Sequence, residues 1–466
     1  MRSRSHLLRL VVVIGIFGAT TATALASTLS WGTAIEVPGT AGLNVGGAAY
    51  VSAVSCAGAG KCAAGGRYSD GSGNQAFVVD ETSSVWGTAI EVPGTALPTG
   101  LNAGGDAEVH AISCTGAGTC SAGGYYSDGS GGKHAFVVDE TNGQWGTAAE
   151  VLGLPYVSEV VSISCASAGN CAAAGYNSSK AFVVDEKNGH WGTAIAIPGL
   201  AALTAGGGHA SVASISCGSP GYCSAGGQYV DMSGNARAFV VSETPGGGWA
   251  HAVTVQGAST LNLGNQAGVT SISCSGPAAC WASGEYGATS GSTAVVRSFV
   301  VSKLWSWGQA ARLRGIPSFN SASDAAAVSV SCSTPGSCAT GGFYQPANSS
   351  LTHAFAAESS GYFTSLWGAA AASHGSQVTS VSCVSPGNCV AGGVFYDGLA
   401  RSHGFLAVEK GGNWYAATEV PGLATLSAGG LDGGLLVSCA KNAGTCGVGG
   451  SYHDSSAHTQ AFVTTP

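Results

Sequence analysis

The sequence predicts an all-β fold, a single eight-bladed β-propeller with four antiparallel strands in each blade. Three observations carry that expectation. A unit of 51 to 58 residues recurs eight times along the 466-residue chain. Each unit holds four short segments that read as strands. The segment missing from the last unit stands at the start of the chain.

From the N-terminus, the first element is a leader. Arg2, Arg4 and Arg9 are followed by an apolar run from Leu10 to about Ala19, and Ala24-Leu25-Ala26 offers a small-residue cleavage site. These are the three regions of a secretory signal peptide. A membrane anchor asks for about 20 apolar residues, more than this run supplies. Residues 1–26 are therefore expected to be removed, and 27–466 to form the propeller as a secreted, extracellular monomer that does not insert in a membrane. Loss of the three arginines leaves 13 basic against 24 acidic residues, a net charge of −11. No Lys/Arg cluster remains to neutralise phosphates, so no nucleic acid partner is expected.

Within a unit the order is fixed. The second unit reads "VHAISC", "CSAGGYYSD", "HAFVVDE" and "QWGTAAEVLG". Each piece is 5 to 10 residues long, rich in β-branched or aromatic side chains, and bounded by Gly, Ser, Asn, Asp or Pro, which are strand and turn signals. After the leader nothing sustains a helical period over 11 or more residues. Four strands in about 55 residues is the arithmetic of a propeller blade. A parallel β-helix uses shorter coils, and separate sandwiches need about 100 residues each.

The chain ends decide between an open array and a ring. The eighth unit stops at "QAFVTTP", before its Trp-Gly strand, and the orphan "WGTAIEVPG" from Trp31 to Gly39 supplies that strand. A ring closed in this way leaves no exposed blade edge. Two four-bladed rings would need two closures. The Gly-Gly before most of the tyrosines suits a bulge or a close backbone approach.

All 16 cysteines fall into eight pairs: Cys56 with Cys62, Cys114 with Cys120, Cys165 with Cys171, Cys217 with Cys223, Cys274 with Cys280, Cys332 with Cys338, Cys383 with Cys389, and Cys439 with Cys446. Each pair flanks the turn between the first and second strands. The even count and the oxidising compartment favour eight local disulfides. The competing readings are free thiols and a metal site. A zinc site asks for four ligands, and no His or further Cys recurs nearby, so no metal is expected. The repeated tryptophans, Trp31, Trp86, Trp145, Trp191, Trp249, Trp307, Trp367 and Trp414, are expected to pack between blades.

Two phrases, Asp139 to Trp145 and Asp185 to Trp191, resemble the Asp-box, sialidase-type propeller repeat, in which a strand, a polar turn ending in Gly and a Trp recur in each blade. The units also resemble the paired-cysteine "SCxxxxxC" propeller repeats of secreted bacterial proteins. The resemblance spans the whole mature chain and implies the propeller fold. A sialidase would further need a clamp of three arginines and a Tyr/Glu nucleophile pair. The mature chain has six arginines, Arg67, Arg237, Arg297, Arg312, Arg314 and Arg401, and no three share a repeating position. "RLRGIP", from Arg312 to Pro317, also departs from the family's Phe-Arg-Ile-Pro-like entry motif.

Propeller connections alternate between two faces. The cysteine turn shares a face with the Asp-Glu-x-x-Gly turn, while the second-to-third loops and the crossovers occupy the other. The cysteine turn is nearly constant in length. On the other face Tyr176 to Phe182 spans 6 positions, Tyr286 to Phe299 spans 13, and the crossovers vary from 16 to 28. Variable loops on a rigid scaffold are where binding residues usually lie. The candidate ligand contacts are therefore Tyr68 and Asp70, Tyr126 and Asp128, Tyr229 and Asp231, with Asp106, Glu108, His110 and His209 on the crossovers and inner strands. The crossovers Leu43 to Gly47 and Leu101 to Gly105 are expected to line the channel mouth. Asp70-x-Ser72-x-Asn74 and Asp231-x-Ser233-x-Asn235 match the opening of a calcium loop, but lack its closing Glu and equally suit an ordinary turn. No other cofactor is expected.

These observations point to a non-catalytic binding or scaffold propeller, with a glycan or a protein as partner on the variable face. The alternative is a sialidase-like glycoside hydrolase.

Overall fold

The computed structural model describes residues 30–466, except 97–99, 205–207, 262–264, 291–292, 314–323, 347–348, 360–362, 370–373 and 442. The expected leader and its cleavage site lie outside the described residues.

Alternating small and β-branched residues give eight antiparallel sheets in chain order. Blade 1 is typical. Its inner strand Tyr50–Gly58 pairs with the second strand Lys61–Ser69, which pairs with the third, Asn74–Thr82. The outer strand differs from the expected single element. It is two short pieces, Val85–Trp86 and Ile90–Glu91, both paired to the third strand. Blade 5 corrects another expectation. Its long Tyr286-to-Phe299 stretch is no loop but an extended hairpin, with Ala279–Ser290 paired to Thr293–Leu304. Among the described residues helices are limited to single turns in crossovers, such as Thr40–Leu43 and Leu423–Leu426. Among the described residues, no helix is long and apolar enough to cross a membrane.

The ring closes as the chain ends predict. Ile35 and Glu36 pair with Val463 and Phe462, so the first strand completes the last blade. The core lies in the seams between blades. In the seam between blades 1 and 2, for instance, Ala63, Val78, Val109, Ile112, Phe136 and Trp145 pack together.

All eight cysteine pairs are bridged within their own blades. Cys56 joins Cys62, Cys114 joins Cys120, Cys165 joins Cys171, and Cys217 joins Cys223. Around the second half of the ring Cys274 joins Cys280, Cys332 joins Cys338, Cys383 joins Cys389, and Cys439 joins Cys446. The two cysteines of a pair stand directly opposite across their hairpin, as with Cys165 and Cys171. The last pair tolerates one more residue in its turn, yet Cys439 still faces Cys446 in register. Bridges of this kind fit an oxidising compartment.

The serine before the first cysteine of each pair links blade to blade. Its Oγ accepts the amide of the next blade's cysteine at 2.9–3.0 Å, at all eight seams.

The tryptophans mostly pack between blades, and they also hydrogen-bond there. Nε1 of Trp145, Trp191 and Trp249 donates to Asp80, Asp139 and Asp185 of the preceding blade at 2.9–3.0 Å. Trp367 departs from the expectation: it is 55% exposed. Among the described residues blade 6 has one outer strand, Phe363–Ser365, which ends before Trp367. The second glycine of the Gly-Gly pair meets a bulge in the inner strand, where a Cβ on Gly66 would lie 1.9 Å from the Tyr50 carbonyl oxygen.

Candidate functional site

The two faces separate as expected. On the stapled face the cysteine turns bond to the third-to-outer turns: the Gly143 and Gly189 amides donate to the Gly118 and Gly169 carbonyls at 3.0 and 2.9 Å. On the other face the second-to-third loops bond to crossovers, as when the Asn74 amide donates to the Gly105 carbonyl.

The cysteines belong to the scaffold and to no reactive site. The second member of each pair is buried in its seam, Cys223, Cys338, Cys389 and Cys446 among them, and no free thiol stands among the described residues. The Cys223 amide is also tied down, donating to Glu243 at 2.7 Å.

The structure draws the paired ligand candidates into the scaffold as well. Tyr68, Tyr126 and Tyr229 are buried at strand ends, not exposed on loops. Each hydroxyl crosses the third strand to the outer one. Tyr68 donates to Glu91 at 3.3 Å and Tyr229 pairs with Thr254 at 2.6 Å. Burial, with Glu150 next in effect, pushes the Tyr126 phenol well above its ordinary range.

The aspartates are saturated by their own turns. Asp70 Oδ1 accepts the Ser72 and Gly73 amides at 2.7 and 2.8 Å, and Oδ2 accepts Gln75. Asp128 is held by Ser130, Gly132 and His134, and Asp231 by Ser233, Asn235 and Arg237. Hydrogen bonds from Ser130 and Gly132 hold the Asp128 carboxyl down at about 2. This is turn chemistry. Among the described residues, no group of three or more His, Cys, Asp or Glu is disposed around a common metal position.

The crossovers expected at the channel mouth are clamped to the blades beside them. Asn102 is fully buried, donates to the Asn74 carbonyl and Gln75 Oε1, and accepts the Asp106 amide. Asn44 ties the crossover into blade 1 back to Thr459 and Gln460 of blade 8. His209 is exposed on the crossover into blade 4.

Asp106, Glu108 and His110 do come together, at the unstapled end of blades 1 to 3. Glu108 accepts Arg67 of blade 1 at 3.1 Å and the Ser52 hydroxyl at 2.5 Å, with His110 Nε2 at 3.6 Å. His110 is the extra residue of the blade 2 bulge, between Val109 and Ala111, and its ring meets Tyr125 edge-on. Tyr125 donates to Asp106 at 3.3 Å and lies under the Lys133 ammonium, which is 3.4 Å from the ring centroid. Lys133 in turn bonds Glu159 of blade 3 at 3.2 Å. Burial alone would raise the Glu108 carboxyl, yet hydrogen bonds from His110 and Ser52 and the charges of His110 and Arg67 hold it below the ordinary range. Hydrogen bonding to Glu159, ahead of burial, pushes the Tyr176 phenol up to about 12.

Sequence reasoning missed Tyr50, Arg67, Tyr125, Lys133, Glu159 and Tyr176. The available signal was that they recur in two blades at most. Blades 1 to 3 carry Tyr50/Arg67, Glu108/Tyr125 and Glu159/Tyr176 at one pair of positions. Blades 4 to 7 carry Ser211/Gln228, Gly268/Glu285, Ala326/Phe343 and Gln377/Val394 there.

No protein-family model matches the chain, and no curated protein sequence does. Solved structures do match in fold. The Hadza microbial sialidase Hz136 is 10% identical, with a TM-score of 0.42 over 92% of this chain and 68% of that one. The fucose-specific lectin from Aleuria aurantia is 12% identical, with a TM-score of 0.34 over 76% and 95%. Sqt1 from Chaetomium thermophilum, bound to the N-terminus of the ribosomal protein L10, is 11% identical, with a TM-score of 0.48 over 89% and 96%. At these values the likeness concerns architecture and says nothing of a ligand.

Proposed function

We propose that the chain is a secreted, non-catalytic binding propeller whose ligand, a glycan or a protein segment, docks on the unstapled face over the Arg67, Asp106, Glu108, His110 and Tyr125 cluster. One observation carries this reading. Residues that recur around the ring, such as the cysteines, their serines and the buried tyrosines, are consumed by the fold. At the positions that vary from blade to blade, charged and aromatic residues gather on three adjacent blades. Hydrogen-bonding groups interleaved with aromatic rings suit a polar ligand with apolar faces. The eight bridges agree with secretion.

Glycosidase chemistry is the weaker reading. The cluster contains one arginine, Arg67, and Arg237 and Arg401 are tied to Asp231 and Asp397 of their own turns. The test is a glycan array and an extracellular pull-down run beside a fluorogenic glycosidase panel. Saturable binding lost in Glu108→Gln, with no turnover, is the expected result. Hydrolysis abolished by the same substitution would replace the binding reading with an enzymatic one.

A further inference from the structure

In the seam between blades 4 and 5 the chain buries an ammonium of its own. Lys303 follows Phe299 by four positions, where Glu140, Glu186 and Glu243 follow Phe136, Phe182 and Phe239. It is 7% exposed, and its Nζ donates to Ser224 Oγ of blade 4 at 3.2 Å. Ser224 Oγ also lies 3.5 Å from Cys280 Sγ, and Glu243 supplies the opposing charge.

The seam between blades 2 and 3 repeats this arrangement without the cation. Ser121 takes the place of Ser224, 3.4 Å from Cys171 Sγ. Glu140 takes the place of Glu243, Asp139 that of Ser242, and Glu186 that of Lys303. These residues line a cleft of about 430 Å³ on the stapled face, together with Asn142 and Asn188, and among the described residues no Lys or Arg lines it. Glu140 and Glu186 are 2% and 4% exposed, and each has an Oε2 without a hydrogen-bond partner. Buried carboxylate oxygens left unpaired are costly and favour a cationic donor. In the seam between blades 3 and 4 the half-exposed Lys187 Nζ lies 3.7 Å from Asp185 and donates to the Gly247 carbonyl.

We propose that the cleft between blades 2 and 3 binds a primary ammonium group, from a free alkylamine or from a partner's lysine side chain, where the seam between blades 4 and 5 holds the Lys303 ammonium. An ammonium carries three N–H donors, and Ser121, Glu140 and Glu186 are among the acceptor-bearing residues that line the cleft. The occupant stands apart from the ligand of the opposite face. Protons compete for the same groups: burial first, with Asp80 and Asp139 facing them, pushes the Glu140 and Glu186 carboxyls up to about 7.

The test is calorimetric titration of the intact protein with cadaverine and with a blocked Gly-Lys-Gly tripeptide, at about pH 8 and about pH 5.5, where the carboxyls are protonated. One site is expected at the higher pH and none at the lower. Binding of both probes identifies a lysine side chain as an admissible ligand, and binding of cadaverine alone a free amine. Glu140→Gln should weaken binding by about tenfold, the loss of one charge-assisted hydrogen bond. Glu186→Lys should abolish it and raise the melting temperature by supplying the ammonium internally. Unchanged cadaverine binding in Glu140→Gln would overturn the proposal, as would equally tight binding of tetramethylammonium, which has no N–H, or of calcium in place of either amine.

Discussion

The Ser438 hydroxyl of the last blade accepts the Cys56 amide of the first at 3.0 Å. The two residues are 382 positions apart in sequence, yet their bond is the same one that joins each of the other seven seams. Ring closure therefore rests on two devices. The outer edge is closed by the Ile35 and Glu36 pairing, and the inner wall by Ser438. Both need the chain's first blade to meet its last, so the fold is cooperative around the circle and not a sum of blades.

Removing the outer device should open the ring. A chain lacking residues up to Gly39 leaves the Thr459–Thr464 strand as a bare edge and the Thr464 hydroxyl without the Gly32 carbonyl. The expected outcome is a large fall in melting temperature, with concentration-dependent association through the freed strand. Retention of full thermal stability would mean that the N-terminal strand is dispensable.

The inner staples are separable from the ring bonds. Replacing Cys165 and Cys171 together by alanine reopens one short loop, at a cost of about 2 kcal/mol in the loop-entropy account. Ser164→Ala, which removes the acceptor of the Cys217 amide, should cost about 1 kcal/mol. Denaturant unfolding of each variant measures both. Mass spectrometry without reduction should show eight within-blade bridges and no free thiol.

Much of this was legible in the sequence because repetition exposes what a fold demands. The eight cysteine pairs and the orphan Trp31 strand specified blade number and closure. Even Cys446, set one residue further from its partner than the other seven, read correctly as the mate of Cys439. The serine ring was not legible. Ser164 stands in plain view beside Cys165, but its partner is the Cys217 amide one blade away, and spacing within a unit carries no sign of a bond between units. The tyrosines misled for a related reason. Tyr68, Tyr126 and Tyr229 sit beside turn residues and read as loop aromatics, although recurrence in nearly every unit argued for burial, as it does for Trp145. The arc around Glu108 was hidden because its residues recur in no more than two of the eight units. Arg67 and Glu108 are 41 positions apart, and only the packing of blade 1 on blade 2 makes them a pair.

Stability should depend on pH through the stapled-face carboxyls. Burial, followed by Asp80, raises Glu140 to about 7; burial, followed by Asp139, raises Glu186 to about 7; and burial, followed by Glu358, raises Glu409 to about 8. A carboxyl raised on folding stabilises the protonated native state. That contribution is complete below the ordinary Glu range and is lost as pH rises through the folded value. Melting temperature should therefore decline between about pH 4.5 and about pH 8, without added amine. Glu409→Gln, which keeps the shape and removes the charge, should flatten the upper part of that decline. A profile that rises across this window would contradict the burial of these groups.

Ligand binding and stability should divide between two sets of residues on the unstapled face. Tyr126→Ala empties a buried ring site and should cost about 3 kcal/mol, lowering the melting temperature while leaving affinity intact in the folded fraction. Asp106→Asn and His110→Gln alter partly exposed groups of the cluster and should cost below about 1 kcal/mol, yet reduce affinity for whatever the glycan array or pull-down identifies. Arg67→Lys offers a finer probe. The charge survives, but the planar fork that meets Glu108 while covering the Tyr50 ring at 4.7 Å is lost. A lysine places a point charge there and cannot serve both contacts at once, so affinity should fall with little change in melting temperature. Hydrogen-exchange protection by the ligand should then map to the strands Tyr50–Gly58 and Ala107–Gly116. Protection confined to the second-to-third turns around Asp70, Asp128 and Asp231 would move the binding site outward, to the loops that the sequence first singles out.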